Sequence, residues 1–330
     1  MAKSITNTQV DAVITWVDGN DENWQEKINT YSESKINFSS KKHLKRYNSI
    51  GEIDIAIKSI IKFASFVTNI FLVTDNQSPE SFNSLKKLAE SKNINLELVD
   101  HKVIFREYEE HLPCFNSCSI GSMLFRIPGL SEHFIIFNDD TFIMRQTTVG
   151  DFFINKQPII RGQWQDFNEN RTIRTFYHKL LSFFGKPVIK NKISFKKFQQ
   201  NSAKLAKTDK YVRRFHTPVC VRKSTLQNFF KNNDLLKENI KHRFRDGNHF
   251  IISSLSEHLE IKNNTFHYRN NSQLTYFRSY KKLWLTKLKL KWFEQNKNKL
   301  FITFQSLDMS NNKTLAYILK WIEKRIGDKQ

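Results

Sequence analysis

The triplet Asn138-Asp139-Asp140 closes the run His133-Phe134-Ile135-Ile136-Phe137, and the chain turns apolar again at Phe142, Ile143 and Met144. Two adjacent carboxylates in such a frame lose hydration and repel each other unless a cation or a bound ligand offsets their charge. Magnesium takes oxygen ligands and keeps several waters, so Asp139 and Asp140 with phosphate oxygens complete a site without His or Cys. Asn116 and Arg126 belong to the same polar group, and Asn138 borders it. The plain alternative is a turn with both acids in water.

A second cluster, Thr15-Trp16-Val17-Asp18-Gly19-Asn20-Asp21, joins an aromatic ring, a glycine turn and two acids. Gly19 permits close backbone approach, Trp16 can pack in the core, and Asp18 can receive a ligand hydroxyl or a metal. An Asp-Gly turn followed by a helix cap explains the same residues without a ligand. The third group is His216-Thr217-Pro218 with Arg243-Phe244-Arg245-Asp246. Histidine can take a proton from an alcohol, and arginine grips phosphate through a planar fork of donors. In an extended segment Arg243 and Arg245 face one side, and the alternative is a solvated edge. A phosphate-binding glycine loop, a Gly-x-Ser-x-Gly elbow and Cys/His zinc spacing are all missing from the sequence. What remains suits phosphoryl transfer from an activated diphosphate.

Positioning these groups requires a frame, and the first half of the chain supplies one. Val13 to Val17 reads as a buried strand, residues 53–64 carry apolar side chains at helical spacing, and Ile70 to Val73 is the next strand. A helix through Leu85 and Leu88 and a strand near Ile94 to Val99 follow. This order predicts an α/β fold with a mainly parallel sheet, ligands lying at the carboxyl ends of its strands. The polar clusters after Val17, Val73, Val99 and Phe137 fall on that edge. Further on, helices are expected near Phe195 to Leu205 and Phe250 to Leu259, with mobile chain elsewhere in 171–214. Tyr280 to Phe293, which interleaves Leu and Trp with Lys, reads as helix or strand.

The formal charge of +21 is uneven. Residues 171–214 contribute +12 and residues 271–330 contribute +9, so the rest of the chain sums to zero. Such excess predicts polyanionic partners or a solvated basic face. Three cysteines without metal or disulfide spacing fit a reducing compartment, and no apolar stretch approaches the length of a membrane span. We divide the chain into a catalytic unit, 1–270, with a basic insertion at about 171–214, and a basic C-terminal appendage, 271–330, touching polymer or a membrane surface.

Four ordered blocks resemble the Stealth family of hexose-1-phosphate transferases. They are Asp11 to Gly19; Arg46 through Glu52, Lys58-Ser59-Ile60 and Ile70 to Pro79 to Asp100-His101-Lys102; Leu112 to Ser117, Arg126 to Glu132 and Phe137 to Asp140; and His216-Thr217-Pro218 with Arg243-Phe244-Arg245. Where members of that family commonly carry Glu and His, this chain has Gly121 and Phe125, and Asn248-His249 stands where an Asp is usual. The resemblance implies a Rossmann-like, GT-A-like sheet and transfer of a hexose-1-phosphate, commonly an N-acetylhexosamine-1-phosphate, from a UDP-sugar to a sugar hydroxyl, releasing UMP. It implies Mg2+ (or Mn2+) on Asp139 and Asp140, charge-offsetting Arg126, Arg243 and Arg245, and proton transfer at His216. Asp18, with Trp16, Gly19, Arg46, Asn116 and Asn138, would then orient the donor. Implied partners are an anionic polysaccharide acceptor, an anionic membrane surface and capsule export machinery, in the bacterial cytoplasm. A metal-dependent glycosyltransferase releasing UDP and a basic nucleic-acid-binding protein are the competing readings.

Overall fold

The computed structural model describes residues 8–40, 50–170, 194–280 and 282–327. Arg46 and residues 171–193 of the basic insertion, where mobility was expected, lie outside the described residues.

Four parallel strands, β1 (Val10–Thr15), β2 (Val67–Thr74), β3 (Asn95–Asp100) and β4 (His133–Phe137), form the central sheet. The short strand β5 (Thr141–Ile143) follows the acidic pair directly. An antiparallel edge strand, β6 (Val219–Arg222), completes the sheet in the order β6-β4-β1-β2-β3, with Cys220 opposite Ile135. The apolar runs are long because both faces of the sheet are covered. Val10, Ala12, Ile14, Ile135 and Phe137 face one apolar cluster, while Val13, Phe71, Val73 and Phe134 face a second. The expected α/β class with a mainly parallel sheet is therefore what the chain adopts.

Helices α1 (Glu22–Tyr31), α2 (Glu52–Phe63) and α3 (Phe82–Glu90) belong to the crossovers. Asp21 caps α1 by accepting from the amides of Asn23 and Trp24. In α2, Ile53, Ala56, Ile57, Ile60 and Ile61 form the buried stripe, and Ser59 Oγ accepts from the amide of Ile143 at 3.2 Å. Downstream, α4 (Ser117–Met123) is capped by Asn116, while α5 (Phe195–Leu205) and α6 (Ile252–Lys262) lie where helical spacing predicts them.

The C-terminal residues depart from the sequence expectation of a separate appendage. Strands β7 (Leu274–Phe277) and β8 (Phe301–Phe304) join β5 in a second sheet, β8 pairing antiparallel with β5 and parallel with β7. Phe293, Phe301, Phe304, Ile318 and Ile322 share one core with Ile14, Ile57 and Ile135. The ambiguous run resolves as a helix, α7 (Leu283–Gln295), followed by α8 (Asn312–Ile326). No helix among the described residues is long and apolar enough to cross a membrane.

Because the C-terminal strands complete the core, Phe301→Ala is expected to cost about 3–5 kcal/mol. Urea unfolding checks this, and a loss under about 1 kcal/mol would separate these strands from the catalytic core.

Candidate active site

The carboxyl ends of the parallel strands border a cavity of about 170 Å³. Thr15, Trp16 and Val17 extend from β1, His101 follows β3, and Asp139 follows β4. Trp24 of α1, Cys114, Phe115 and Ser117 close the other side, and Arg245 completes the wall. The ring of Phe115 lies 5.9 Å from that of Trp24 and 5.6 Å from that of Phe244, so packing fixes the aromatic wall. Trp16 Nε1 and His101 Nδ1 are buried without a hydrogen-bond partner among the described residues. Burial holds the His101 imidazole below its ordinary pKa, and the nearby carboxylates of Asp75 and Asp100 oppose that shift.

Asp139 and Asp140 part company at the strand end. Asp139 borders the cavity, and burial first, then the charges of Asp140 and Glu52, push its carboxyl up to about 7. Glu52 is itself buried at the start of α2 and accepts from the amide of Ile50 at 2.6 Å. Asp140 instead meets His216, whose Nδ1 lies 3.0 Å from Oδ2 and 3.2 Å from Oδ1. The backbone on both sides of this contact is tied to the second sheet. Phe304 donates its amide to the Asp140 carbonyl at 3.2 Å, and Thr303 Oγ1 donates to the His216 carbonyl at 2.7 Å. The His216 ring stacks on Tyr276 at 5.5 Å, and the Arg278 guanidinium lies 4.8 Å from the centre of the same Tyr276 ring. Phe195 of α5 approaches the same imidazole at 6.3 Å.

The structure brings Trp16, Asp139 and Arg245 to the cavity, while Asp140, the next residue in the chain, pairs with His216. Arg245 is steadied there by donating to Ser117 Oγ at 2.7 Å. Arg243 points elsewhere, because residues 241–249 form no strand and the two arginines share no common face. Its guanidinium donates to the carbonyls of Glu110 and Leu112 and lies 5.0 Å over Tyr31. Arg126 likewise donates to the carbonyls of Ile104 and Arg106 and pairs with Glu107 at 3.2 Å. Asn116 is fully buried, its amide bonded to Ser119, His249 and the carbonyls of His242 and Phe244, so it holds the 242–249 loop against α4. Asp18 accepts from the amide of Asn20 at 2.9 Å, Gly19 accepts at its carbonyl from Gln25, and Asp21 caps α1, which is the turn-and-cap arrangement. Asn138 accepts at its carbonyl from the Thr141 amide.

Sequence reasoning missed Glu52, His101, Tyr276, Arg278 and Thr303 as parts of this site. Tyr276 and Arg278 carried a signal: residues two apart near a strand share a face, and Arg278 lies over the Tyr276 ring that stacks on His216.

Among the described residues no three His, Cys, Asp or Glu side chains gather to hold a metal. The donor set is thus two carboxylates with surplus negative charge, which fits a hard divalent cation whose remaining ligands are phosphate oxygens and water.

Comparison with known proteins matches Stealth protein conserved region 1 at residues 8–36 and conserved region 2 at residues 46–160. Three of the four sequence blocks lie within these regions, and the block with His216, Arg243 and Arg245 lies outside them. Capsular polysaccharide phosphotransferase cps1A of Actinobacillus pleuropneumoniae is 38% identical over 155 residues, 46% of this chain and 40% of that protein. Capsular polysaccharide phosphotransferase fcs1 of Haemophilus influenzae is 38% identical over 156 residues, 46% and 40% of the two chains. Exopolysaccharide phosphotransferase cps2G of Lactiplantibacillus plantarum is 38% identical over 144 residues, 44% and 39%. The match spans about two fifths of the length of these relatives. A crystal structure of the galactosyltransferase LgtC with donor and acceptor sugar analogues superposes over 96% of this chain and 95% of that one, at 9% identity and a TM-score of 0.43.

The raised Asp139 pKa sets a pH dependence in metal-free solution. The folded chain keeps a proton on Asp139 that the unfolded chain releases near 3.8, so stability falls as pH rises from there to about 7. Asp139→Asn is expected to flatten this slope and to stabilise the fold at pH above 7 by on the order of 2 kcal/mol. Urea midpoints on either side of the window, with chelator present, measure it, and an unchanged slope would remove Asp139 as the titrating group.

Proposed function

From its two Stealth conserved regions and the cavity they border, we propose that this chain is a capsular or exopolysaccharide phosphotransferase. It transfers a hexose-1-phosphate, an N-acetylhexosamine-1-phosphate in the simplest case, from a UDP-sugar to a sugar hydroxyl. The observation that carries this reading is the division of the acidic pair: Asp139 on a cavity with aromatic walls and an arginine, Asp140 on a histidine. One residue faces a place for a donor, and its neighbour holds a base for an acceptor.

In this mechanism the acceptor oxygen forms a bond to the β-phosphorus of the donor. The bond from that phosphorus to the bridging oxygen breaks, and UMP leaves with the bridging oxygen. His216 Nε2 takes the hydroxyl proton, because Nδ1 is engaged by Asp140, which fixes the tautomer and supports the imidazolium that forms. Arg245 offsets phosphate charge at the cavity wall, and Trp16 packs against the nucleotide. Asp139 and Asp140 would hold Mg2+ or Mn2+, which when bound neutralises the diphosphate and the charge developing on the leaving group. Tyr276 and Thr303 keep the imidazole in place without touching the reacting atoms. Asn116, Arg126 and Arg243 act through the loops they fix. The acceptor is an anionic polysaccharide whose phosphodiester charges suit the +12 segment at residues 171–214. The bacterial cytoplasm, at the inner face of its membrane, is where such a donor and acceptor meet.

The decisive assay incubates the chain with Mg2+, a panel of UDP-sugars and capsule oligosaccharide, then identifies the nucleotide released and the product by phosphorus NMR. UMP and a phosphodiester resonance are expected, whereas release of UDP would make the chain an ordinary glycosyltransferase. Asp139→Asn and His216→Ala are each expected to lower the transfer rate by about 100-fold or more. Salt-sensitive nucleic-acid binding that survives Asp140→Asn, without any transfer, would favour the nucleic-acid reading.

A further inference from the structure

The outer face of α7 serves neither the cavity nor the core. Trp284, Leu285, Leu288 and Trp292 are 57%, 48%, 56% and 48% exposed. At about 100° per residue these four share one arc of the helix, opposite the buried arc of Thr286, Leu290 and Phe293. Lys287 and Lys291 run along one margin of the exposed arc, and they meet Lys320 and Lys324 of α8 across the helix pair. Beyond the other margin Lys289 donates to the Tyr276 carbonyl, beside an apolar groove of about 590 Å³ bordered by Leu285, Leu288 and Trp292. A soluble surface rarely concentrates two tryptophans and two leucines, because leaving them in water forfeits their burial energy.

We propose that this face of α7 seats the protein on an anionic lipid surface, its Trp and Leu side chains entering the boundary between headgroups and acyl chains. The charge pattern selects that occupant. Four lysines of one sign beside the stripe, with Glu294 the acid among them, complement anionic headgroups. Tryptophan and leucine at a polar-apolar boundary are what an interfacial helix uses. Pairing with a second copy of the chain through a two-fold axis would press the same lysines against each other. A purely polyanionic polymer would use the lysines but leave the Trp and Leu side chains wet. The seat also sets an orientation, because Tyr276 both borders the groove and stacks on the His216 imidazole. A membrane-borne acceptor would thus approach the proton-accepting side, and this last step alone rests on the proposed function.

Cosedimentation of the full chain with vesicles of phosphatidylcholine, and with vesicles that also contain phosphatidylglycerol, tests the seat. Binding is expected only with the anionic lipid and with a blue shift of tryptophan emission. Trp284→Ser combined with Leu288→Ser should lower partitioning by more than about 10-fold, and Lys287→Gln with Lys291→Gln by about 30-fold. Both pairs lie on the surface, so unchanged thermal unfolding verifies their folds, and transfer to a soluble acceptor should also be unchanged. Equal binding to neutral vesicles, variants that bind like the parent, or a dimer that Trp284→Ser with Leu288→Ser dissolves would each overturn the seat. Vesicle binding without any sugar-phosphate transfer would leave the seat standing and sink the proposed function instead.

Discussion

Where the central sheet ends, burial and the charges of Asp140 and Glu52 act on the Asp139 carboxyl, and that repulsion constrains the rest of the site. Repulsion at such range is strong because little water screens it. The fold answers it in two ways. Asp139 retains a proton, and Asp140 gains a histidine at hydrogen-bond distance. Neither answer is available to a turn in open water, where both acids would simply be hydrated. The rigidity of β4, buried on both faces and paired on both edges, keeps the two carboxylates from swinging apart to relieve the strain between their charges.

That rigidity extends from the C-terminal residues. β5 begins at the residue after Asp140, and β8 pairs along it, so the backbone of the acidic pair is clamped from a segment more than 150 positions away in sequence. The same strand ties down the His216 carbonyl through Thr303, and β7 supplies the ring on which the imidazole stacks. Residues that never approach a substrate thereby fix the distance between carboxylate and imidazole. In the proposed mechanism such a pair serves as a base only when its geometry is held before an acceptor arrives.

The parallel sheet and the polar clusters at its carboxyl edge were legible in the sequence because they follow from local pattern. Apolar runs of strand length, an amphipathic stripe in α2 and polar clusters after each strand are properties of neighbouring residues. The acidic pair and His216 were legible by residue type, and the structure joins them. Their pairing with β7 and β8 was not, because register between remote strands leaves little trace in a single sequence. Lys and Trp alternating through 280–293 fit two periods at once, and only burial of Thr286, Leu290 and Phe293 decides for a helix. Arg126 and Arg243 misled for a related reason. Guanidinium groups serve loop carbonyls as readily as phosphates, and the sequence does not reveal which acceptor is near.

The split of the acidic pair also limits what a cation can do here. Asp140 spends part of its carboxylate on His216 Nδ1 and accepts from the Thr141 hydroxyl at 3.2 Å. A divalent ion shared by Asp139 and Asp140 would favour the ionised form of Asp139, the form that burial and its neighbours oppose. The same ion would compete with His216 Nδ1 for the Asp140 oxygens, so in the proposed mechanism cation and histidine share one carboxylate.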